Sequence, residues 1–220
     1  ARRVPGNGAH GQDWIKSQRV CKVVCFASQT GRAPDVYCSH AITDREDAVL
    51  ENLKEDWRTY EGDIWRQGLW VMWVYRFGRW RYRVRPAWAR KPLSLLYKIL
   101  RTLNQMSTGI ELPCETRVGR RLRIEHFGGI IVSGDTVIGD DVVLRHGVTL
   151  GLKNTNQRGA PRIGNRVDIG AGAKILGEIA IGDDAVIGAN AVVLHDVPAG
   201  ALAVGIPARI LPRPEPEPLT

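Results

Sequence analysis

From Ile163 onward the chain sets an aliphatic residue at every sixth position. Ile163, Ile169, Ile175, Ile181, Ile187 and Val193 hold this place in unbroken register. The fifth place of each hexad, at Val167, Ala173, Ile179, Ala185, Ala191 and Val197, is again small or aliphatic. Upstream the same phase returns at Val132, Ile138, Leu144 and Leu150. Such a period fits neither an amphipathic helix nor a strand in a flat sheet. It fits a parallel β-helix of hexapeptide repeats, in which each hexad is a short strand plus a corner and three hexads close one coil. The aliphatic position then points inward, and backbone hydrogen bonds join coils about 4.8 Å apart. The solenoid is predicted from about Ile110 to Ile210, within a domain spanning 107–210.

Two interruptions break the phase. Between Ile124 and Val132 the step is eight residues, with Gly128 and Gly129 in the bulge. Between Leu150 and Ile163 it is thirteen, two hexads plus one residue. The intervening stretch, from Gly151 to Pro161, is polar and lacks the repeat, so it should loop out from a corner. Loops carried on rigid repeats are common seats of function.

Ahead of the solenoid, residues 43–106 read as a small α-helical domain. Thr43-Asp44-Arg45-Glu46 has the acidic first turn of a helix start. Ala48, Leu50, Leu53 and Trp57 follow helical spacing, a second helix is predicted from Gly68 to Trp80, and a third from Leu93 to Met106 after Pro86 and Pro92. Trp70, Trp73, Tyr75, Phe77 and Trp80 are expected to pack this domain. Residues 1–42 form a poorly patterned arm. The tail 211–220 alternates Pro with charged residues and reads as extended and mobile. The fold class expected is therefore mainly β, a parallel β-helix preceded by a small α-helical domain.

Composition narrows the class. A chain of 220 residues has room for one solenoid and one smaller domain. No apolar run approaches about 18 residues, so no membrane-spanning helix is expected. Arg2 and Arg3 are followed by no apolar stretch, so no secretory signal is expected. Cys21, Cys25, Cys38 and Cys114 are too few for a disulfide framework, which favours a reducing cytoplasm. With His40, the first three match no standard zinc spacing, and no metal is expected. The net charge is +8, much of it between Tyr75 and Lys91. No nucleic-acid motif accompanies these arginines. A solvated helix face, peripheral contact with an anionic membrane surface, or an anionic substrate would each account for them.

The chemistry is expected near two histidines. His126 and His146 each follow an inward aliphatic residue, Ile124 and Leu144, by two places. They are 20 residues apart, one coil plus the two-residue bulge, so they should stack in adjacent coils roughly 5 Å apart at the backbone. His195 falls on another face and reads as a surface residue. Glu125 precedes His126. A carboxylate beside an imidazole can fix its tautomer and stabilise the imidazolium formed in proton abstraction.

These residues carry a family resemblance over about residues 63–210. The run from Ile124 to Val132 resembles the Asp-His signature and glycine turn of the serine acetyltransferase-like branch of the hexapeptide-repeat acyltransferases. Gly147-Val148-Thr149-Leu150-Gly151, the run from Ile169 to Gly177, and Val204-Gly205-Ile206-Pro207-Ala208-Arg209 match further motifs of that branch. Tyr75-Arg76-Phe77-Gly78-Arg79-Trp80 resembles the last helix of its short helical domain. The resemblance implies a left-handed coil, where the general crossover rule would give a right-handed one. It also implies a homotrimer, acetyl-CoA as acetyl donor, and an O-acetylated product. His126 takes the general-base role and Glu125 stands where the family has Asp. Gly151, Ala171 and Ala189 fall along the pantetheine groove, while Lys174 and Arg209 supply positive charge for the phosphates of CoA. His146, Arg158 and Asp63 fall on the acceptor side.

One departure bears on the acceptor. Serine acetyltransferases carry Arg-His-Pro at the end of the long loop; here the run is Arg158-Gly159-Ala160-Pro161. Ala160 stands in place of the histidine, which turns the expectation toward a sugar or glycan hydroxyl beside serine or a serine-like amino acid. Two other readings remain at this point. One is a metal-dependent β-helix enzyme of the carbonic-anhydrase type, which needs three converging histidines. The other is a non-catalytic β-helix scaffold, which needs neither His126 nor the loop.

Overall fold

The computed structural model describes residues 49–154 and 159–212, all within one compact unit spanning Ala41–Thr220. The expectations for residues 1–42, for the helix start at Thr43 and for the last eight residues lie outside the described residues.

Among the described residues three helices come first: α1 (Val49–Thr59), α2 (Gln67–Trp80) and α3 (Ala87–Thr108), with a 3₁₀ turn at Arg81–Arg83. α3 begins six residues earlier than Pro92 suggested, with Pro86 as its N-cap and Pro92 inside. A proline this close to the N-terminus forfeits only one backbone bond, so the helix tolerates it. Gly109 ends α3 at φ 68°, the left-handed geometry of a C-cap glycine. The aromatic residues split between core and surface. Tyr75 is buried, whereas Trp70, Trp73 and Trp80 keep more than a third of their surface exposed. Trp73 stacks on Trp57 with ring centroids 6.2 Å apart.

Among the described residues fifteen short strands follow in three sheets. The first sheet stacks β1 (Ile110–Glu111), β4 (Ile130–Val132), β7 (Thr149–Gly151), β10 (Lys174–Leu176) and β13 (Val192–Val193). The second stacks β2 (Arg117–Val118), β5 (Val137–Ile138), β8 (Arg162–Ile163) and β11 (Ala180–Ile181). The third holds β3 (Arg123–Glu125), β6 (Val143–Arg145), β9 (Asp168–Ile169), β12 (Val186–Ile187) and β14 (Ala201–Val204). All these pairs are parallel, and the chain visits the sheets in rotation. The inward positions Ile138, Leu144, Leu150, Ile169, Ile175 and Ile187 are buried from solvent.

Register explains the interruptions. Val118 pairs with Ile138, Ile138 with Ile163 and Ile163 with Ile181, giving coils of 20, 25 and 18 residues. The inward aliphatic must stay in register or the core face turns outward. Surplus residues are therefore extruded at corners. The thirteen-residue step is one hexad with seven residues added at a single corner, not two hexads and a remainder. The C-terminal end also departs from the simple repeat. β15 (Arg209–Pro212) turns back antiparallel on β14, so Leu211 and Pro212 belong to a strand and not to an open tail.

The helical layer closes the first coil. Tyr60 Oη accepts from Ile124 N–H at 3.0 Å and donates to the Leu122 carbonyl at 3.3 Å. Tyr75 Oη accepts from Val118 N–H and donates to the Thr116 carbonyl. Tyr97 Oη accepts from Cys114 N–H. Arg76 is buried, bonded to Asp56, and donates to the Gly119 carbonyl at 3.1 Å. Without a preceding coil these backbone groups would have no strand partner, and a buried unpaired group is costly. Burial pushes the Tyr60 hydroxyl well above the ordinary phenol range, so it stays a neutral donor and acceptor.

Between the second and third sheets a corner carries stacked ion pairs: Arg120–Asp140, Arg121–Asp141 and Arg166–Asp184. The Arg121 guanidinium holds the Asp141 carboxyl below its usual range. Tyr60→Phe keeps the ring but strands the Ile124 N–H. It should lower unfolding stability by about 1–3 kcal/mol, read by urea denaturation. An unchanged midpoint would show that the staple adds nothing.

Candidate active site

The corner between the third and first sheets gathers most of the candidate residues. The pairing Ile124↔Leu144, Leu144↔Ile169 and Ile169↔Ile187 puts His126, His146, Ala171 and Ala189 at one equivalent place in four successive coils. The two imidazoles meet edge to face, with ring centroids 5.9 Å apart and planes at 77°. Both rings are exposed. Beyond them the file holds only small residues, leaving an open track along the corner. Backbone bonds knit it: Gly147 N–H to the Gly128 carbonyl, Gly172 N–H to the His146 carbonyl, and Asn190 N–H to the Ala171 carbonyl.

The bulge gives the first coil its distinct shape. Gly129, Gly147, Gly172 and Asn190 all take positive φ at this corner. In the bulge His126, at φ 64°, and Gly128 add two further positive φ values, and the later coils have none at the place of His126. Histidine enters this region more readily than most residues, and a held outlier of this kind is a pointer to function. The two surplus residues are Phe127 and Gly128. Phe127 projects from the corner, 61% exposed, beside His126. Phe127 was not among the expected site residues; its signal is an aromatic residue at a corner where the repeat has small or polar ones.

Glu125 does not pair with His126. β3 turns Ile124 inward, so Arg123 and Glu125 face outward by strand alternation, while His126 leaves the strand at the corner. The Glu125 carboxylate lies 3.1 Å from Arg123 Nε and 3.6 Å from Arg145 Nε. Arg145 in turn bonds Asp168 in the next coil. This ladder beside the histidine corner was also not anticipated, although the alternating signs of 123, 125, 145 and 168 carry it.

The remaining candidates divide by corner. Lys174, at the start of β10, donates its ammonium to the Gly147 carbonyl and so belongs to the histidine corner. Arg209 opens β15 opposite Val204, in the strand that turns back over the last coil, and is exposed; the register puts Gly205, not Arg209, at the next place of the file. Gly151 sits at the far end of β7, where the long loop leaves, one sheet width away. Arg158 lies outside the described residues. Asp63 stays in the α1–α2 connection, where its carboxylate accepts from Trp65 N–H at 2.9 Å and lies 3.7 Å from Arg66 Nε. Ala160 is buried at 6% exposure and offers no polar side chain at the loop's end. His195 is exposed at a different corner.

Coils that wind as a parallel β-helix, with paired histidines heading a file of small residues, define a class of hexapeptide-repeat protein. Residues 160–195 match the family model described as bacterial transferase hexapeptide (six repeats). The chain is 44% identical over 131 residues to a serine acetyltransferase of Helicobacter pylori, covering 59% of this chain and 77% of that protein. It is 39% identical over 123 residues to a putative colanic acid biosynthesis acetyltransferase of Escherichia coli, covering 56% and 74%. Among solved structures it resembles a Brucella abortus serine acetyltransferase in complex with coenzyme A. That match has a TM-score of 0.62 and 27% identity, and covers 77% and 68% of the two chains. The chain belongs to the serine acetyltransferase-like hexapeptide-repeat acyltransferases. The expected fold class, a left-handed parallel β-helix preceded by a small α-helical domain, holds, and the protein is an acyltransferase enzyme rather than a scaffold or a hydratase.

The file depends on close coil contact. A Cβ added at Gly170 would lie 2.6 Å from the Ala189 backbone nitrogen. Gly170→Ala must therefore push the Ala171 and Ala189 corners apart. It should destabilise the protein by about 1–3 kcal/mol in thermal unfolding and raise KM for the acyl donor. A variant with unchanged melting and unchanged KM would contradict this packing.

Proposed function

We propose that the protein transfers an acetyl group from acetyl-CoA to an acceptor hydroxyl, with His126 as general base. The observation that carries this reading is the file His126–His146–Ala171–Ala189. An imidazole heads an open track, of one residue per coil about 4.8 Å apart, on which an extended thioester arm can lie. Supporting it, relatives at 37–44% identity are serine acetyltransferases, and structural neighbours are complexes with coenzyme A. His126 takes the hydroxyl proton as that oxygen attacks the thioester carbonyl. The tetrahedral intermediate then collapses, the C–S bond breaks, and the imidazolium returns the proton to the departing thiolate. Lys174 and Arg209 supply positive charge along the track. Glu125 acts through the Arg123–Arg145 ladder, which fixes the strand end from which His126 turns.

The site is completed between subunits of a homotrimer. The histidine file and Gly151, where the long loop leaves, stand at two different corners of the solenoid. A threefold arrangement sets one corner against the next subunit's other corner. Exposed Phe127 and Ile131 beside the file supply apolar surface for that contact. The cytoplasm, with its acetyl-CoA, is the compartment this chemistry implies.

For the acceptor we favour a sugar or glycan hydroxyl. Serine's carboxylate and ammonium need paired charges, since a charge left unpaired on burial costs several kcal/mol. Ala160 leaves the loop without the family's imidazole, whereas Asn154 and the sequence Thr155-Asn156-Gln157 offer neutral hydrogen-bond partners. The colanic acid relative supports this choice. The 44% identity to a serine acetyltransferase supports the second reading, serine itself.

His126→Ala should lower kcat by roughly 10²–10⁴-fold with the fold intact; near-normal kcat would remove it from the mechanism. Glu125→Gln, which leaves the imidazole in place, should cost less than His126→Ala. An equal loss would show that the carboxylate reaches His126 during turnover. Thiol release from acetyl-CoA across a panel of sugars, glycans and serine should give serine a low kcat/KM, rising in Ala160→His. Efficient serine acetylation by the unaltered protein would establish the second reading.

A further inference from the structure

The helical layer carries a feature that acetyl transfer does not use. α3 buries Tyr97, Asn104 and Thr108 against the rest of the protein. On its opposite side Trp88, Leu95, Leu96, Ile99, Leu103 and Met106 form one stripe, with Trp88 74%, Leu95 62% and Met106 79% exposed. From Trp88 to Met106 the stripe runs about 27 Å along the helix. Exposed large apolar residues aligned on one helix face are not accounted for by the protein's own core.

Charge indicates what covers it. From Ile64 to Ile110 the sequence holds ten Lys and Arg and no Asp or Glu. The remaining chain carries 21 basic against 23 acidic residues, so the whole positive excess is concentrated in this stretch. Some of it is internal, as with Arg76 and Arg81. Arg85, Arg90, Lys91 and Lys98 are exposed, and Lys91 and Lys98, seven residues apart, run along one border of the stripe. A helix apolar on one side, bordered by Lys and Arg and opened by Trp, has the make-up of an interfacial helix. Self-pairing would set these cations against one another. No helix among the described residues is long and apolar enough to cross a membrane, so the helix would lie on a bilayer and not through it.

We propose that the outer face of α3 docks the enzyme on an anionic lipid bilayer, with the apolar stripe in the headgroup layer and Arg85, Arg90, Lys91 and Lys98 on the lipid phosphates. This proposal stands apart from the acceptor reading, because it concerns the helical layer and is read without turnover. The test is flotation of the full chain with vesicles of phosphatidylcholine alone and with roughly 30 mol % phosphatidylglycerol. The expected result is at least about tenfold more protein on the anionic vesicles, reversed by high salt. Leu95→Ser with Ile99→Ser, and separately Lys91→Glu with Lys98→Glu, should each abolish this binding. Their circular dichroism and sedimentation mass should stay unchanged, since all four side chains are exposed. Absence of binding by the unaltered protein, or equal binding to both vesicles, would overturn the proposal. So would a fall in sedimentation mass in the Leu95→Ser/Ile99→Ser variant, which would assign the stripe to a second copy of the chain.

Discussion

The parallel backbone register between successive coils is the constraint from which the rest of the molecule follows. Each strand is only two to four residues long and has no stability of its own. It persists because the coil above and the coil below saturate its N–H and C=O groups and stack an aliphatic residue on its inward side. A fully buried Ile or Leu contributes about 1.5–3 kcal/mol, so one slipped coil would lose several such contributions at once. The register therefore cannot absorb surplus residues, and they leave at corners. The Phe127–Gly128 bulge and the long loop have that common origin, and they are also where the candidate chemistry gathers.

The same constraint creates two ends. Each terminal coil has backbone groups facing no further coil, the problem that capping units solve in repeat proteins. At the start, Tyr60, Tyr75, Tyr97 and Arg76 reach from the helical layer to backbone atoms of the first coil. At the far end β15 folds back on β14. The helical layer is thus a lid whose inner side is specified by hydrogen bonds to strands. Its outer side carries the exposed apolar stripe of α3.

The solenoid was legible because its determinant is local and periodic. Ile163 through Val193 announce the coil without reference to anything distant, and two coil positions placed His126 over His146. The helix starting at Ala87 was less legible, because Pro92 is a breaker only when the backbone bond it removes matters. The roles of the tyrosines were hidden, since a ring that packs and a hydroxyl that caps a remote strand look the same in one dimension. Glu125 shows the limit most plainly. Adjacency in sequence put it beside His126, but strand alternation sent the two side chains different ways and gave the carboxylate to Arg123 and Arg145. Gly151 and the histidine file both match the family's motifs, yet they occupy different corners of one chain, and the proposed site shared between chains starts from that separation.

That sharing is the central claim, and subunit mixing tests it most directly. Two variants are needed: His126→Ala, which disables the base, and a chain lacking residues 153–159, which restores an 18-residue coil and removes the loop. Each alone should be inactive. Random mixing into trimers pairs an intact corner with an intact loop at about one site in four, so activity should return to about a quarter of the unaltered protein's. Mixed trimers that remain inactive would contradict a site built from two subunits.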